Sequence, residues 1–137
     1  MDYEVIEFNG VRYAEIIRAS KRVDKTVFFS PPHSSFQFGL IAHKANYEEP
    51  PHYHPKVKRV VEDVQQMFVV QYGVVAVDFY DNDGRKLTEV VLYPGDAILI
   101  VDGVHAIRVI EDAQCITVKQ GPFLGEQYDK VIVKVKK

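Results

Sequence analysis

The sequence predicts an all-β protein, and three features of the chain support this fold class. Apolar and polar residues alternate in short runs, as expected of half-buried strands of roughly four to eight residues. Glycine, proline, asparagine and aspartate cluster between these runs as turn signals. No stretch of the sequence carries the sustained apolar stripe, repeating about every 3.6 residues, that marks an amphipathic helix. Strands of this length and spacing are typical of a β-sandwich or β-barrel.

The first third of the chain predicts a hairpin and two further strands. The run VIEFNGVRYAEII contains two β-like segments joined by Asn9-Gly10, a dipeptide that favours tight hairpin turns. The polar segment ASKRVDK follows as a turn or a short helix. Next, TVFFS predicts a strand that Pro31 and Pro32 end, and FQFGLIAHKANY predicts a longer one.

The rest of the chain alternates strands with turns. An extended segment, PHYH, is followed by the strand QMFVVQYG, which we expect to end at Gly73. The segments VVAVDFY and KLTEVVLY then flank the strong turn signal DNDG, and the short apolar strand AILIV follows the turn PGD. The segments VHAIRV and QCITVKQ predict two separate strands. After the breaker GPFLGEQ, KVIVKVK predicts a terminal strand.

Length and composition predict one ordinary globular domain spanning residues 1–137. The chain has 137 residues, of which 47% are apolar and 26% are charged. A chain of this length buries roughly two-thirds of its unfolded surface in a single core. This composition argues against disorder and against a membrane protein.

Charge and cysteine content exclude several classes of partner. The formal net charge of −2 gives no electrostatic reason to bind nucleic acid or an anionic bilayer. The single cysteine, Cys115, has no intrachain disulfide partner, and the N-terminus is acidic where a signal peptide would be basic. No run approaches the roughly 20 apolar residues of a membrane-spanning helix. We therefore expect a cytoplasmic protein with no nucleic-acid or membrane partner.

Three histidines and one glutamine form the candidate site. His52 and His54 have the spacing H-x-H, so on an extended backbone both imidazoles face the same side and can bind one metal ion. Gln66 begins an otherwise apolar strand face, and His105 lies on another strand. These four residues are the candidate metal ligands. Alternatively, the histidines line a polar pocket, Gln66 is a hydrogen-bonding pocket residue, or Glu62 supplies a carboxylate ligand instead.

Two segments that contain these residues resemble the signature motifs of the cupins, a family of small jelly-roll β-barrels. The first motif combines H-x-H with a glutamate and then, after six intervening residues, a glycine. The second begins within P-G-D and ends in a histidine. The matching residues are His52, His54, Gln66 and Gly73 in the first motif, and Pro94, Gly95, Asp96, Gly103 and His105 in the second. The resemblance implies a cupin-like jelly-roll with its core barrel at about residues 36–120, and with strands at 3–30 and 129–136 as additions.

The chain departs from the cupin pattern at three points. Gln66 stands where the family has its glutamate ligand, the gap after His54 is longer than usual, and Val101 replaces a proline of the second motif. The tail VKQGPFLGEQYDKV resembles that of small cupins encoded among surface-polysaccharide biosynthesis genes. That resemblance suggests a sugar-derived ligand.

The resemblance and the ligand chemistry together predict a divalent-metal and small-molecule pocket inside the barrel. Its walls are expected to include Phe68, Val70, Ile107 and Val109. Imidazole nitrogens suit transition metals, so we expect zinc, iron, nickel, copper or manganese. A set of three histidines and one glutamine carries no negative charge, so a bound ion keeps its full charge and favours an anionic small molecule. Lys56, Lys58 and Arg59 are candidate secondary anion contacts, or else a solvated loop.

The specific reaction stays open at this point. An enzyme with this site would be a metal-dependent isomerase, epimerase or dioxygenase, because the fold alone does not choose among them. The alternative is a non-catalytic binding or sensing module without bound metal, in keeping with the absence of a glutamate at Gln66. A homodimer formed through edge strands at residues 4–17 and 130–136 is compatible with both. Cys115 is expected to be a small core residue, and His33 and His43 ordinary strand or loop residues.

Overall fold

A computed structural model of the chain describes residues 2–136 and confirms the all-β class. Its only helix within these residues is a single turn, so the described chain contains no helix that is long and apolar enough to cross a membrane. The elements are β1 (Tyr3–Phe8), β2 (Val11–Ile17), β3 (Val27–Phe28), β4 (Gly39–Leu40), β5 (Gln66–Tyr80), β6 (Lys86–Leu92), β7 (Ala97–Ile100), β8 (Val104–Lys119) and α1 (Glu126–Asp129).

The chain divides into two compact units. The first unit contains the residues up to Lys21 and from Val64 onward, and the second contains Arg22–Asp63. In the first unit, a curled antiparallel sheet with the order β1-β2-β7-β5-β6 forms a half-barrel, and β8 also pairs with β5. In the second unit, β3 and β4 form a two-stranded antiparallel sheet. The single domain over residues 1–137 and the jelly-roll topology stay predictions.

Strands β5 and β8 pair along their whole lengths and form the central antiparallel ladder of the first unit. Their antiparallel register runs from Gln66 opposite Lys119 to Tyr80 opposite Val104. Residues 66–69 of β5 also pair with β7, whereas residues 75–80 pair with β6. Register shifts between residues 70 and 75 separate these two halves. Such bulges bend a strand and increase its twist, which lets one long strand serve two parts of a curled sheet.

Two sequence predictions about β5 and β8 are wrong. Gly73 does not end the strand, because β5 continues through it to Tyr80 with Gly73 at a φ of 85°. The segments VHAIRV and QCITVKQ are not separate strands but parts of β8, which has 16 residues. In both cases a bulge takes the place of the expected break, because the partner strand continues the ladder on the far side.

The hydrophobic core lies on one face of this sheet. Val75, Val77 and Phe79 alternate along β5, and none is more than 2% exposed. They pack in one cluster with apolar residues of β2, β6 and β7, including Ile16, Leu92 and Ile98. Burying each such side chain contributes roughly 1.5–3 kcal/mol. This cluster therefore fixes which face of β5 and of its partner β8 points inward.

Two predicted turns are confirmed. Asn9 and Gly10 join β1 to β2 with φ angles of 50° and 77°, the left-handed values that a tight two-residue hairpin turn requires. In the DNDG turn, the N–H of Gly84 donates to the carbonyl of Asp81 at 3.0 Å. The Asp81 carboxylate also accepts hydrogen bonds from the backbone N–H groups of Asp83 and Arg85, each at 2.9 Å.

The aspartate of the PGD turn ties β2 to the turn before β7. Asp96 is 5% exposed, and its Oδ1 accepts a hydrogen bond from the Ala19 N–H at 2.8 Å. Its Oδ2 accepts from the Tyr93 N–H at 2.9 Å and from Nη1 of Arg18 at 3.0 Å. A buried carboxylate with this many donors is a structural link, since an unpaired one would be strongly destabilising.

The predicted strands of the second unit are largely absent. The expected strand FQFGLIAHKANY is reduced to Gly39–Leu40, and residues 41–63 contain no strand. Pro50, Pro51 and Pro55 flank the two histidines, and proline lacks the N–H that a ladder requires. The extended H-x-H strand is therefore an incorrect prediction.

The predicted terminal strand at 129–136 is also wrong. Asp129 ends α1, and residues 130–136 are not assigned to a strand. Backbone hydrogen bonds hold this C-terminal segment at its two ends: the Lys130 N–H donates to the Glu126 carbonyl, and the Lys136 N–H donates to the Gly84 carbonyl, both at 2.9 Å. Two such anchors do not make the continuous ladder that defines a strand.

Replacing Gly73 tests the bend of β5. An added Cβ would lie 2.6 Å from Cα of Ala113 and 2.7 Å from its Cβ, in addition to the strain of the positive φ. We expect Gly73→Ala to lower the free energy of unfolding by about 3 kcal/mol or more. Urea denaturation monitored by circular dichroism measures this change.

Gly10→Ala is the matched control for the Gly73 variant. Gly10 also has a positive φ, but an added Cβ there meets no atom within 4 Å. We expect this control to lose only about 1 kcal/mol, the cost of the left-handed backbone alone. Equal losses in the two variants would show that β5 and β8 do not approach closely at Gly73.

Asp78 gives the fold an acid-sensitive link on the face opposite the core. Arg108 donates two hydrogen bonds to this carboxylate at 3.1 and 3.0 Å, and Lys86 lies 3.4 Å from it. The Arg108 guanidinium, with help from Lys86, holds the pKa of Asp78 below its usual value near 3.8. A lowered folded-state pKa means that the stabilisation is complete above the usual value and disappears as the pH falls through the lowered pKa.

We therefore expect Asp78→Asn to destabilise the protein at pH 7 and much less in acid. The loss at pH 7 should be about 1 kcal/mol, because Arg108 and Lys86 are partly exposed and water screens them. Urea midpoints at pH 7 and near pH 2.5 measure the difference, with Asp83→Asn in the exposed DNDG turn as the control. A gap between wild type and Asp78→Asn that persists undiminished in acid would contradict this assignment.

Candidate functional site

A concavity in the first unit brings two of the four predicted ligands together. Its volume is about 680 Å³, and Gln66 and His105 both line it. Gln66 opens β5, and His105 is near the start of β8. The other polar side chains on its wall belong to Tyr80, Lys119, Asp129 and Lys130. Two residues that are distant in sequence thus reach one cavity through the curl of the sheet.

The β5–β8 register explains why these residues share a face. His105 is opposite Phe79, Ile107 is opposite Val77, and Thr117 is opposite Phe68. Directly paired residues of neighbouring strands point to the same face of a sheet. Because Phe68, Val77 and Phe79 belong to the core cluster, the three β8 residues lie on the core side. His105 and Ile107 extend this face into the concavity.

The walls of the concavity differ in part from the expected ones. Ile107 lines it, as predicted. Phe68 and Val70 are instead buried in the core, and Val109 is 60% exposed and lies outside the lining residues. The concave face is therefore more polar than the sequence pattern indicated, because apolar β5 residues near its centre are covered by the core.

A hydrogen-bond chain fixes the orientation of the Gln66 amide. The Thr117 hydroxyl donates its one proton to the Met67 carbonyl at 2.9 Å. Its oxygen then accepts a hydrogen bond from Nε2 of Gln66 at 3.0 Å. Because the hydroxyl proton is already used, the amide must present its NH2 group to Thr117. This arrangement leaves Oε1 of Gln66, the atom that can coordinate a metal, outside the chain of bonds.

The ring of His105 is oriented in a way that suits metal binding. Its Nδ1 lies 3.0 Å from the carbonyl of Gly103, to which it donates its proton. In the neutral ring, Nε2 is then the unprotonated nitrogen with an available lone pair. Metal-binding histidines commonly donate their second ring N–H to a backbone carbonyl in this way. His105 therefore has the tautomer that a metal ligand needs.

His52 and His54 lie in the second unit, on the strand-free segment that follows Pro50 and Pro51. Both residues are exposed, and their ring centroids are 5.3 Å apart in an edge-to-face arrangement. Nδ1 of His52 lies 2.9 Å from the carbonyl of Pro50. This contact repeats the one that Nδ1 of His105 makes with the carbonyl of Gly103, the residue two positions before it.

Glu49 lies next to one ring nitrogen of His52. Its Oε1 is 3.3 Å from Nε2 of His52. The carboxylate is thus placed beside the nitrogen that would coordinate a metal ion. No sequence signal distinguishes Glu49, since its position three residues before His52 belongs to no motif.

The other candidates from the sequence also belong to the second unit and are exposed. Glu62 lies on the same strand-free segment as His52, and so do three basic residues. One of them, Arg59, donates a hydrogen bond to the Val57 carbonyl at 3.4 Å. His43 stacks on Tyr47 with ring centroids 4.0 Å apart. His33 is exposed. The basic residues in question are Lys56, Lys58 and Arg59.

Acidic, histidine and cysteine side chains do not by themselves form a metal site within residues 2–136. No group of three or more of these side chains is placed to hold a metal ion there. The predicted set of His52, His54, Gln66 and His105 therefore stays a prediction, in which Gln66 and His105 share a concavity.

Sequence reasoning missed two side chains of this site. Thr117 orients the Gln66 amide, and Lys119 lines the concavity directly opposite Gln66 in the register. The signal was present in the run QCITVKQ, where Cys115, Thr117 and Lys119 alternate and so share one face. Without the pairing partner of this strand, however, the pattern did not show which face was the functional one.

Comparison of the chain with protein-family models, curated proteins and solved structures finds no match.

Cys115 behaves as the core residue that the sequence predicted. It is half-buried and packs against the hydrophobic core, and burial raises the pKa of its thiol. A raised pKa lowers the thiolate fraction at neutral pH, and the thiolate is the reactive form. We expect iodoacetamide to modify Cys115 slowly at pH 7.5, at less than about a tenth of the rate of free cysteine.

Mass spectrometry of timed reactions measures this rate. The protein unfolded in urea provides the control, since its thiol is exposed and should react at the ordinary rate. A native thiol that reacts as fast as the unfolded one would exclude a core role for Cys115.

Proposed function

We propose that this chain is a cupin-type jelly-roll protein whose concave sheet face binds a small molecule and a divalent transition metal. The proposed metal ligands are His52, His54, Gln66 and His105. The all-β half-barrel is compatible with this family. The metal would be zinc, iron, nickel, copper or manganese, the ions that suit imidazole nitrogens.

The observation that carries the proposal is the arrangement of Gln66 and His105 around one concavity. The first cupin-like motif supplies Gln66, the second supplies His105, and the curl of β5 and β8 places both on the wall of the same cavity. Thr117 accepts a hydrogen bond from the Gln66 amide NH2, and the Gly103 carbonyl accepts the His105 imidazole proton. Within residues 2–136, the coordinating atom of each side chain is therefore left to donate a lone pair.

A neutral set of ligands determines what the proposed site prefers. Three imidazoles and one amide leave the charge of a divalent ion uncompensated, which favours an anionic ligand at its open positions. A carboxylate, an enolate or a phosphate fits this requirement. The sugar-derived ligand is proposed on the resemblance of the tail alone. A homodimer through the exposed edge of β1 belongs to the same proposal.

A second candidate function is binding or sensing without turnover. Among the described residues that line the concavity, Asp129 is the one carboxylate, and it is paired with Lys119 at 3.6 Å. General-base catalysis needs a free group near the reacting proton, and this carboxylate is occupied. A catalytic version of the site would instead rely on its metal, as an isomerase, epimerase or dioxygenase. Assays of turnover on keto acids and sugar phosphates separate the two.

Metal stoichiometry tests the proposed function. We expect protein purified without a histidine tag, and then incubated with each ion, to retain close to one transition-metal ion per chain. The His52→Ala/His54→Ala double variant should lose it, because two of four ligands are removed. Inductively coupled plasma mass spectrometry, after removal of loosely bound ions, measures the metal content.

Gln66→Glu is the informative companion to the double variant. A carboxylate binds a divalent ion more tightly than an amide, so we expect the metal affinity to rise by about tenfold or more. His33→Ala is the control, since His33 belongs to neither motif. Metal absent from wild type after incubation with every ion, or retained unchanged in the double variant, would exclude the metal proposal.

A further inference from the structure

We infer that Lys119 is the anion-binding residue of the concavity, and that it takes the oxyanion group of a ligand in exchange for Asp129. This inference extends the proposed function, since it names the ligand chemistry of the same concavity. The sequence instead suggested Lys56, Lys58 and Arg59 for this role, and they lie on the exposed segment of the second unit.

The register places Lys119 beside the proposed metal ligand. Gln66 and Lys119 are direct partners in the β5–β8 ladder, at the end where both strands open onto the concavity. Thr117, two residues before Lys119 on the same face, holds the Gln66 amide. The lysine is therefore the charged side chain paired directly with Gln66, next to any ligand that binds there.

The charge of the concavity favours an anion. Its lining includes two lysines, Lys119 and Lys130, against one aspartate, Asp129. Glu126, which is not part of the lining, lies 4.0 Å from the ammonium of Lys130. The chain as a whole carries a formal net charge of −2. A locally positive cavity in a slightly acidic protein attracts oxyanions selectively, and low-dielectric walls strengthen that attraction.

The geometry of the Lys119–Asp129 ion pair allows Lys119 to exchange Asp129 for the oxyanion of a ligand. Nζ of Lys119 lies 3.6 Å from Oδ2 of Asp129. This distance is longer than the roughly 2.7–2.9 Å of a charge-assisted hydrogen bond. The ammonium group has three donors, so a carboxylate or phosphate oxygen can approach more closely than Asp129 does. The Asp129 side chain is 8% exposed. The exchange therefore requires this carboxylate to gain contact with solvent, because a buried carboxylate without a cation is destabilising.

The attachment of helix α1 depends on the same ion pair. Asp129 is the last residue of α1, a single turn without a side-chain cap at its N-terminus. An isolated turn of this length has little stability of its own. The ion pair with Lys119 therefore contributes to holding α1 and the C-terminal segment against β8, and a bound oxyanion would weaken that attachment.

Titration with orthophosphate and with malonate tests the inference, as probes for a phosphate and a carboxylate ligand. We expect millimolar or tighter binding to wild type by isothermal titration calorimetry. Lys119→Met should weaken it by about tenfold or more, the usual effect of losing a charged hydrogen bond. Asp129→Asn should strengthen it about three- to fivefold, since the competing carboxylate is gone. Binding of orthophosphate but not malonate would indicate a phosphate ligand. Binding of malonate but not orthophosphate would indicate a carboxylate ligand.

Two further variants separate anion binding from folding. Lys119→Arg keeps the positive charge and should restore most of the affinity. Lys134→Met removes a lysine of the C-terminal segment that does not line the concavity, and it should change nothing. Circular dichroism confirms that each variant is folded. Equal binding by wild type and Lys119→Met, weaker binding by Asp129→Asn, or no binding of either probe to wild type would overturn the inference.

The metal content of the same variants distinguishes this inference from the proposed function. Lys119→Met should retain the metal of wild type, because Lys119 is not a ligand. Metal bound with unchanged anion affinity in Lys119→Met would refute the role of Lys119 alone. Conversely, anion binding that depends on Lys119 in a metal-free protein would support this inference while excluding the metal site.

Discussion

The continuous pairing of β5 with β8 is the constraint on which the rest of the first unit depends. One ladder runs from Gln66 opposite Lys119 to Tyr80 opposite Val104, with bulges near Gly73. A flat ladder of this length would place its two ends far apart, at about 3.4 Å per residue. The bend and twist at the bulges instead curl the sheet, so that Gln66 and His105 line the same concavity. Core packing on the inner face keeps this curl in place.

Local signals in the sequence were sufficient for the fold class and for several turns. Asn9-Gly10 and DNDG encode their turns through backbone preferences that act within a few residues, so no tertiary information was needed. The predicted strand breaks near Gly73 and between VHAIRV and QCITVKQ were wrong for the opposite reason. Glycine occurs in both bulges and turns, and pairing with the partner strand determines which of the two forms. Likewise, H-x-H indicates a shared face only where the backbone is extended, and the prolines around it prevent a ladder.

The candidate site shows the same division between local and tertiary information. Residue type and spacing were enough to identify Gln66 and His105 as candidate ligands. The structure adds the hydrogen bonds of Gln66 Nε2 with Thr117 and of His105 Nδ1 with Gly103, which leave Oε1 and Nε2 as the coordinating atoms within residues 2–136. The supporting side chains were not predictable, because Thr117 and Lys119 become part of the site only through the register with β5. Glu49 beside His52 is a further case, since its role depends on the conformation of the segment that contains both residues. Polar supporting side chains of this kind determine the ligand chemistry of a site, which a fold alone does not determine.

Crystals grown with zinc, with diffraction data collected on both sides of the zinc absorption edge, test the central claim most directly. We expect one strong anomalous peak in the concavity, about 2.0–2.2 Å from Nε2 of His105 and Oε1 of Gln66. The rings should keep their Nδ1 contacts with Gly103 and Pro50. A well-ordered protein without a peak near His105, or with zinc bound only at surface carboxylates, would contradict the metal assignment and leave the concavity as a site for small anions alone.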